Sequence, residues 1–370
     1  MRIFKILALG LGGMLVLMVV VVVVGPALGY RAHQQHRNAG PLAINTPNGI
    51  DRGMYVQIGG LRQWLQIRGE DRNNPVLLFV HGGPALSMIP FTYRSMRPWE
   101  KYFTIVSWDQ RGAGRTYMLN GGADETATGM DQIADDGVQV TQVTRGLLHK
   151  ERIIVLGESF GSAVALEMVR RRPDLFYAFV GTGQIIDMPR GERIAYDTLL
   201  RAVRAARDEK AATQLVALGP PPYADPSRLL REQRIEADYP GEPEGIMGRD
   251  FIYAPGYSLR ESFELLVGAT QHRTRLMAEA MNYEAASRGT RFGVPVFFIQ
   301  GAQDAVAPVQ LAAEYMMAIS APRKELVLIP GGGHNAFILY SQRFLDELNA
   351  RVRPLAVSSQ SAAAATHRPE

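Results

Sequence analysis

Six short runs dominated by apolar residues recur along this chain: Val76–Val80, Phe103–Trp108, Arg152–Leu156, Phe176–Val180, Val294–Ile299 and Glu325–Ile329. Each has the length of a strand, and they lack the alternation of a half-exposed one, which is the pattern of strands buried on both faces. Helical stretches separate several of them: Met130–Leu148, Gly161–Arg172, Pro308–Ile319 and Asn335–Arg351. Strands alternating with helices predict an α/β fold with a mostly parallel central sheet flanked by helices. Ahead of these runs, Met54–Ile58 and Leu61–Ile67 flank Gly59-Gly60 and predict a hairpin. A chain of 370 residues, 46% hydrophobic, supplies enough apolar surface for so large a core.

The flanks differ from this pattern. Residues 1–29 carry Arg2 and Lys5 and then an uncharged apolar run from Ile6 to Leu28. That run has the length of a transmembrane helix and exceeds the usual core of a cleaved signal, so an N-terminal single-pass anchor is expected, with a long signal peptide and secretion as the alternative. Arg31 and Arg37 after the run nearly match the two charges before it, and the amino terminus tips the orientation toward a main domain outside the cytoplasm. Residues 30–50 are polar and aperiodic and read as a tether. His33 and His36 within it have no companion ligand and read as solvated. Residues 188–290 lack buried-strand runs and read as a helical cap inserted into a core of residues 51–187 and 291–352. Residues 353–370 read as a disordered tail.

Composition excludes several chemistries. The chain has no cysteine, hence no thiolate metal site, iron–sulfur cluster or thiol nucleophile. Its 40 basic residues face 36 acidic ones without a long single-sign block, which argues against a nucleic-acid partner. No metal and no cofactor is expected. What remains is a side-chain nucleophile, and Gly157-Glu158-Ser159-Phe160-Gly161 follows a strand and opens a small-residue helix. A strand, a sharp turn and a helix present Ser159 at the carboxyl edge of the sheet.

A serine hydroxyl needs a base, and the base needs an orienting group. Of seven histidines, His33 and His36 fall in the tether, His367 in the tail, His149 before a strand and His272 in the cap. His334 leaves the strand Glu325–Ile329 through a glycine-rich loop and is the expected base. Asp304, ending the loop after Val294–Gln300, is the expected orienting carboxylate. The order Ser159, Asp304, His334 is that of a strand-edge triad. His81-Gly82-Gly83-Pro84 follows another strand, and the N–H groups of Gly83 and Phe160 are the expected oxyanion donors.

These residues resemble the α/β-hydrolases, and within them the prolyl iminopeptidase-like serine peptidases. The resemblance is carried by His81–Pro84, by Asp109-Gln110-Arg111-Gly112-Ala113-Gly114-Arg115-Thr116, by Gly157–Ser162, by Gly301–Asp304 and by Gly333-His334, and it spans roughly residues 51–352. It implies a metal-free acyl-enzyme mechanism beneath a helical cap, release of an N-terminal proline or similar residue from a short peptide, and loop-structuring roles for Asp109 and Arg111. Ala85, Glu158 and Phe160 depart from the residues usual in that family. Family aminopeptidases hold the substrate amine with cap glutamates near tryptophan; Glu232, Glu236, Glu242 and Glu244 are available here, whereas Trp64, Trp99 and Trp108 all lie outside the cap. A carboxylesterase or lactonase acting on small acyl compounds is the second expectation, and a noncatalytic binding protein of the same fold the third.

Overall fold

The computed structural model describes residues 24–121, 129–223, 225–236 and 244–358. Eight strands form one sheet in the order β1-β2-β4-β3-β5-β6-β7-β8. They are β1 (Ile50–Ile58), β2 (Leu61–Gly69), β3 (Val76–Val80), β4 (Thr104–Asp109), β5 (Ile153–Glu158), β6 (Phe176–Thr182), β7 (Val296–Gly301) and β8 (Lys324–Ile329). β2 runs antiparallel to both β1 and β4, and all pairings from β4 to β8 are parallel. Gly59 and Gly60 join β1 to β2 at φ +53° and +84°, the left-handed pair that a two-residue hairpin turn requires.

The principal helices are α1 (Gly25–Ala39), α2 (Met130–Leu148), α3 (Phe160–Arg171), α4 (Met188–Ala205), α5 (Glu209–Leu218), α6 (Pro226–Glu236), α7 (Glu244–Ile252), α8 (Leu259–Ala280) and α9 (Val309–Ala318). Successive strand side chains point to opposite faces, and the core divides accordingly. Leu78, Val80, Val106, Val155 and Phe298 join one apolar cluster with α2, α3 and α9. Leu77, Phe79, Ile105, Ile154 and Phe297 join a second, against Trp99 and Phe344, whose rings stack at 5.4 Å. Fully burying one such side chain contributes about 1.5–3 kcal/mol, so both faces are held firmly. Because the strands from β4 to β8 share one direction, their carboxyl ends lie along a single edge, where Asp109 ends β4 and from which the loops bearing His81, Ser159, Asp304 and His334 leave.

Three boundaries differ from the sequence reading. Apart from its last residues, the apolar run over 6–28 lies outside the described residues; among the described residues no helix is long and apolar enough to cross a membrane. The expected tether is helical in its first half. Arg31, Gln35 and Asn38 of α1 share one helical face and bond to the cap: Arg31 Nη2 donates to Tyr257 O (2.8 Å), Gln35 Nε2 to Ala254 O (2.8 Å) and Asn38 Nδ2 to Tyr253 O (3.0 Å). A helix that docks through a polar stripe leaves no apolar period to read. His33 and His36 are exposed, as a solvated reading requires. The expected tail begins as helix through residue 358, with Ala356 buried; residues 359–370 lie outside the described residues. The single helix expected over Asn335–Arg351 is broken at Tyr340, whose hydroxyl donates to Gly331 O at 2.8 Å.

Candidate active site

Ser159 sits between β5 and α3 at φ +51°, ψ −125°, a conformation that a non-glycine residue adopts only where the surroundings impose it. Several contacts impose it. Ser159 N donates to Thr182 O (3.0 Å), and Ser162 Oγ donates to Ser159 O (2.6 Å) while accepting from Ile185 N (3.0 Å). A Cβ on Gly157 would lie 2.7 Å from Ser162 Cα, so only glycine permits α3 to pass so close to β5.

The three residues singled out for a triad come together. His334 Nε2 lies 3.0 Å from Ser159 Oγ, and His334 Nδ1 lies 3.1 Å from both oxygens of Asp304. Asp304 is itself held by Ala307 N, which donates to Oδ1 at 2.8 Å. With Nδ1–H donated to the carboxylate, Nε2 is left as an acceptor facing the hydroxyl, the tautomer a general base requires. Gly183, at φ +52°, clears room for the imidazole: a Cβ there would meet His334 Cε1 at 2.7 Å.

The Gly82–Gly83 loop packs beside Ser159. A Cβ on Gly82 would approach Ser159 Cβ at 2.6 Å. Phe160 is the first residue of α3, where backbone N–H groups have no partner within the helix. His81 is buried and braces the loop. Its Nδ1 faces Gly82 O at 2.9 Å, its Nε2 accepts from Gln110 N at 3.3 Å, and burial lowers its pKa to about 4, so it stays neutral. Asp109 and Arg111 are structural. Asp109 accepts from Arg115 N (2.8 Å), and Arg111 forms a buried pair with Asp136 of α2 (2.9 Å) while donating to Gly59 O (2.7 Å).

Two features escaped the sequence reading. Glu158 Oε2 accepts from Gly82 N at 2.7 Å, and its other oxygen lies 3.9 Å from His334 Nε2, so this carboxylate joins the loop to the base. The second is Glu192. A cavity of about 60 Å³ opens at Ser159, walled by apolar side chains including Phe160, Met188 and Leu229 and by two cap carboxylates, Glu192 and Glu232. Neither oxygen of Glu192 has a hydrogen-bond partner among the described residues. Burial, with the Glu232 charge adding to it, pushes its pKa up to about 7. Glu232 is also raised by burial, although Tyr223 donates to it at 2.5 Å. A signal for Glu192 was present: Met188, Glu192, Ala195, Tyr196, Leu199 and Val203 share one face of α4, and Glu192 is the charge within that otherwise largely apolar stripe. No cluster of three or more metal-ligating side chains occurs among the described residues.

Comparison with known proteins gives the family and the fold. The chain matches the family model for the alpha/beta hydrolase fold over residues 75–339. It is 29% identical over 308 residues to the probable aminopeptidase YbaC of Bacillus subtilis (strain 168), across 80% of this chain and 95% of that protein. Among solved structures it resembles the proline iminopeptidase of Mycobacterium smegmatis, with TM-score 0.59 and 17% identity over 83% of this chain and 100% of that one. It also resembles the esterase RhEst1 from Rhodococcus sp. ECU1013, with TM-score 0.53 and 18% identity over 82% of this chain and 98% of that one.

Proposed function

This chain belongs to the alpha/beta hydrolase fold family and is a hydrolase, and from that premise we propose that it is a serine aminopeptidase that removes an N-terminal proline or similar small residue from short peptides. His334 Nε2 takes the proton from Ser159 Oγ as the oxygen attacks the first peptide carbonyl. Asp304 holds the imidazole in register and stabilises the imidazolium. The N–H groups of Gly83 and Phe160 receive the charge that develops on the carbonyl oxygen. The imidazolium then protonates the leaving amine. Water, deprotonated by the same nitrogen, cleaves the acyl-enzyme, and the proton returns to Ser159.

The observation that carries the peptidase reading is the Glu192–Glu232 pair in the cavity at Ser159. Two carboxylates buried together repel each other and are costly unless a cation joins them. The ammonium of an unblocked N-terminal residue is such a cation, and the small volume favours a small residue. The apolar remainder of the wall favours the second reading, a carboxylesterase acting on small acyl groups. Rates on prolyl and alanyl anilides, their N-acetylated forms and short acyl esters separate the two. The free-amine anilides are expected to turn over, with acetylation lowering kcat/KM by about 10–100-fold, the value of a charged hydrogen bond. Ser159→Ala is expected to abolish all turnover. Ester hydrolysis without anilide cleavage would reject the peptidase. We further propose that the Ile6–Leu28 run anchors the chain in a membrane, with the catalytic domain outside the cytoplasm.

A further inference from the structure

Six of the thirteen large hydrophobic side chains left exposed among the described residues fall in two adjoining groups: Val24, Leu28 and Tyr30 at the start of α1, and, at the cap edge, Ile252 ending α7 with Leu259 and Phe263 opening α8. Hydrogen bonds bring the two groups together. Arg31 donates from Nε to Ile252 O (3.1 Å) and from Nη2 to Ser262 Oγ (3.3 Å), and the Tyr30 and Tyr253 rings meet edge-on at 6.0 Å. Val24 and Leu28 continue the helical face that carries Arg31 and Gln35, so the face that clasps the cap runs on past its rim as bare hydrocarbon. Phe263 is 67% exposed and lies one turn from Leu259 on α8.

The sequence on the other side of Val24 identifies the occupant. From Ile6 onward it carries no charge, and an apolar stretch of this kind matches the hydrocarbon thickness of a bilayer. We infer that the rim formed by α1 and the start of α8 is a lipid-docking surface, with Leu259 and Phe263 seated at the headgroup–acyl boundary beside the point where the chain leaves the bilayer. Side chains of an interfacial helix reach about 5–10 Å into that boundary. The inference rests on the anchor reading and is independent of the peptidase reading. It also places one end of α8 at lipid while Met277 and Ala280 near its other end wall the cavity at Ser159.

Because the chain has no cysteine, single-cysteine variants of the full protein report one position each. Phe263→Cys and Leu259→Cys, both at exposed sites, would carry an environment-sensitive fluorophore in vesicles of phosphatidylethanolamine and phosphatidylglycerol. Val216→Cys on α5, exposed at 59%, serves as the reference. The expected result is loss of emission at 263 and 259 with lipids bearing a quencher high on the acyl chain, protection from aqueous iodide, and the reverse at 216. Quenching of 263 and 259 by iodide would leave the rim in water and overturn the inference while the anchor stood, provided the protein floats with the vesicles. Protection from both quenchers would mean that protein covers the rim, through residues 1–23 or a second copy, and would also overturn it. A protein that does not float with the vesicles overturns the anchor and the docking surface together.

Discussion

The carboxylates around Ser159 differ in what holds them. Asp304 is bonded on both sides, whereas Glu192 is buried beside Glu232 with neither oxygen bonded among the described residues. Glu192 takes up its proton at about 7 in the folded protein against 4.5 ordinarily. The folded state therefore holds more protons than the unfolded one between those values, and stability declines as pH rises through that window. Glu192→Gln is expected to gain about 2 kcal/mol at pH 8 and almost nothing at pH 4, measured by denaturant unfolding at both. The same variant should lower kcat/KM on free-amine anilides by about 10–100-fold while sparing esters. It should also remove the part of the acidic fall in wild-type rate that is specific to cationic substrates. Glu158 offers a separate test. Glu158→Gln keeps an acceptor for Gly82 N together with its side-chain volume, so it should hold the loop in place and retain most of kcat. Glu158→Ala loses the acceptor, frees the loop beside Ser159 and should cost about 10–100-fold in kcat.

At the scale of elements, the strand ends and the helix faces were legible to different degrees. The largely apolar runs located β3 to β8 to within a few residues, although β8 is only part-buried where burial on both faces was expected, and strand–turn–helix context, more than the GxSxG string, singled out Ser159. Asp304 and His334 followed from the same edge argument, since a parallel sheet delivers all its outgoing loops to one side. Helix α1 was not legible, because its docking face is polar and its partners are backbone carbonyls that no sequence pattern marks. Glu192 was legible in principle, as a charge inside a largely apolar stripe, but nothing in the sequence marks that stripe as facing Ser159 and not the interior of the cap. The loop bearing His334 has its own requirement. A Cβ on Gly301, the last residue of β7, would overlap the carbonyl oxygens of Gly332 and Gly333. Gly301→Ala is therefore expected to displace His334 and lower kcat by at least about 100-fold, the scale reached when a catalytic group shifts by an ångström. Circular dichroism of the variant should show the sheet retained.

For the whole molecule, one buried ion pair joins parts distant in sequence. Asp136 on α2 accepts from Arg111 after β4 and from Gln63 on β2, and Gln63 in turn accepts from Trp108. Both members of the pair are almost fully buried. Arg111→Ala strands the carboxylate and is expected to cost about 3–5 kcal/mol, visible as a lowered melting temperature. Replacing both members with apolar residues should restore part of that loss. The cap, by contrast, enters as one uninterrupted excursion between β6 and β7 and supplies Glu192 and Glu232, while Ser159, His334 and Asp304, the residues proposed as nucleophile, base and orienting acid, all come from the sheet edge. On the proposed reading, the bond-breaking residues and the two carboxylates that meet the substrate amine are thus encoded in separable stretches of polypeptide. Exchanging the excursion for that of a relative could redirect what is cleaved while leaving how it is cleaved untouched, so new preferences can arise in such a scaffold without passing through an inert ancestor.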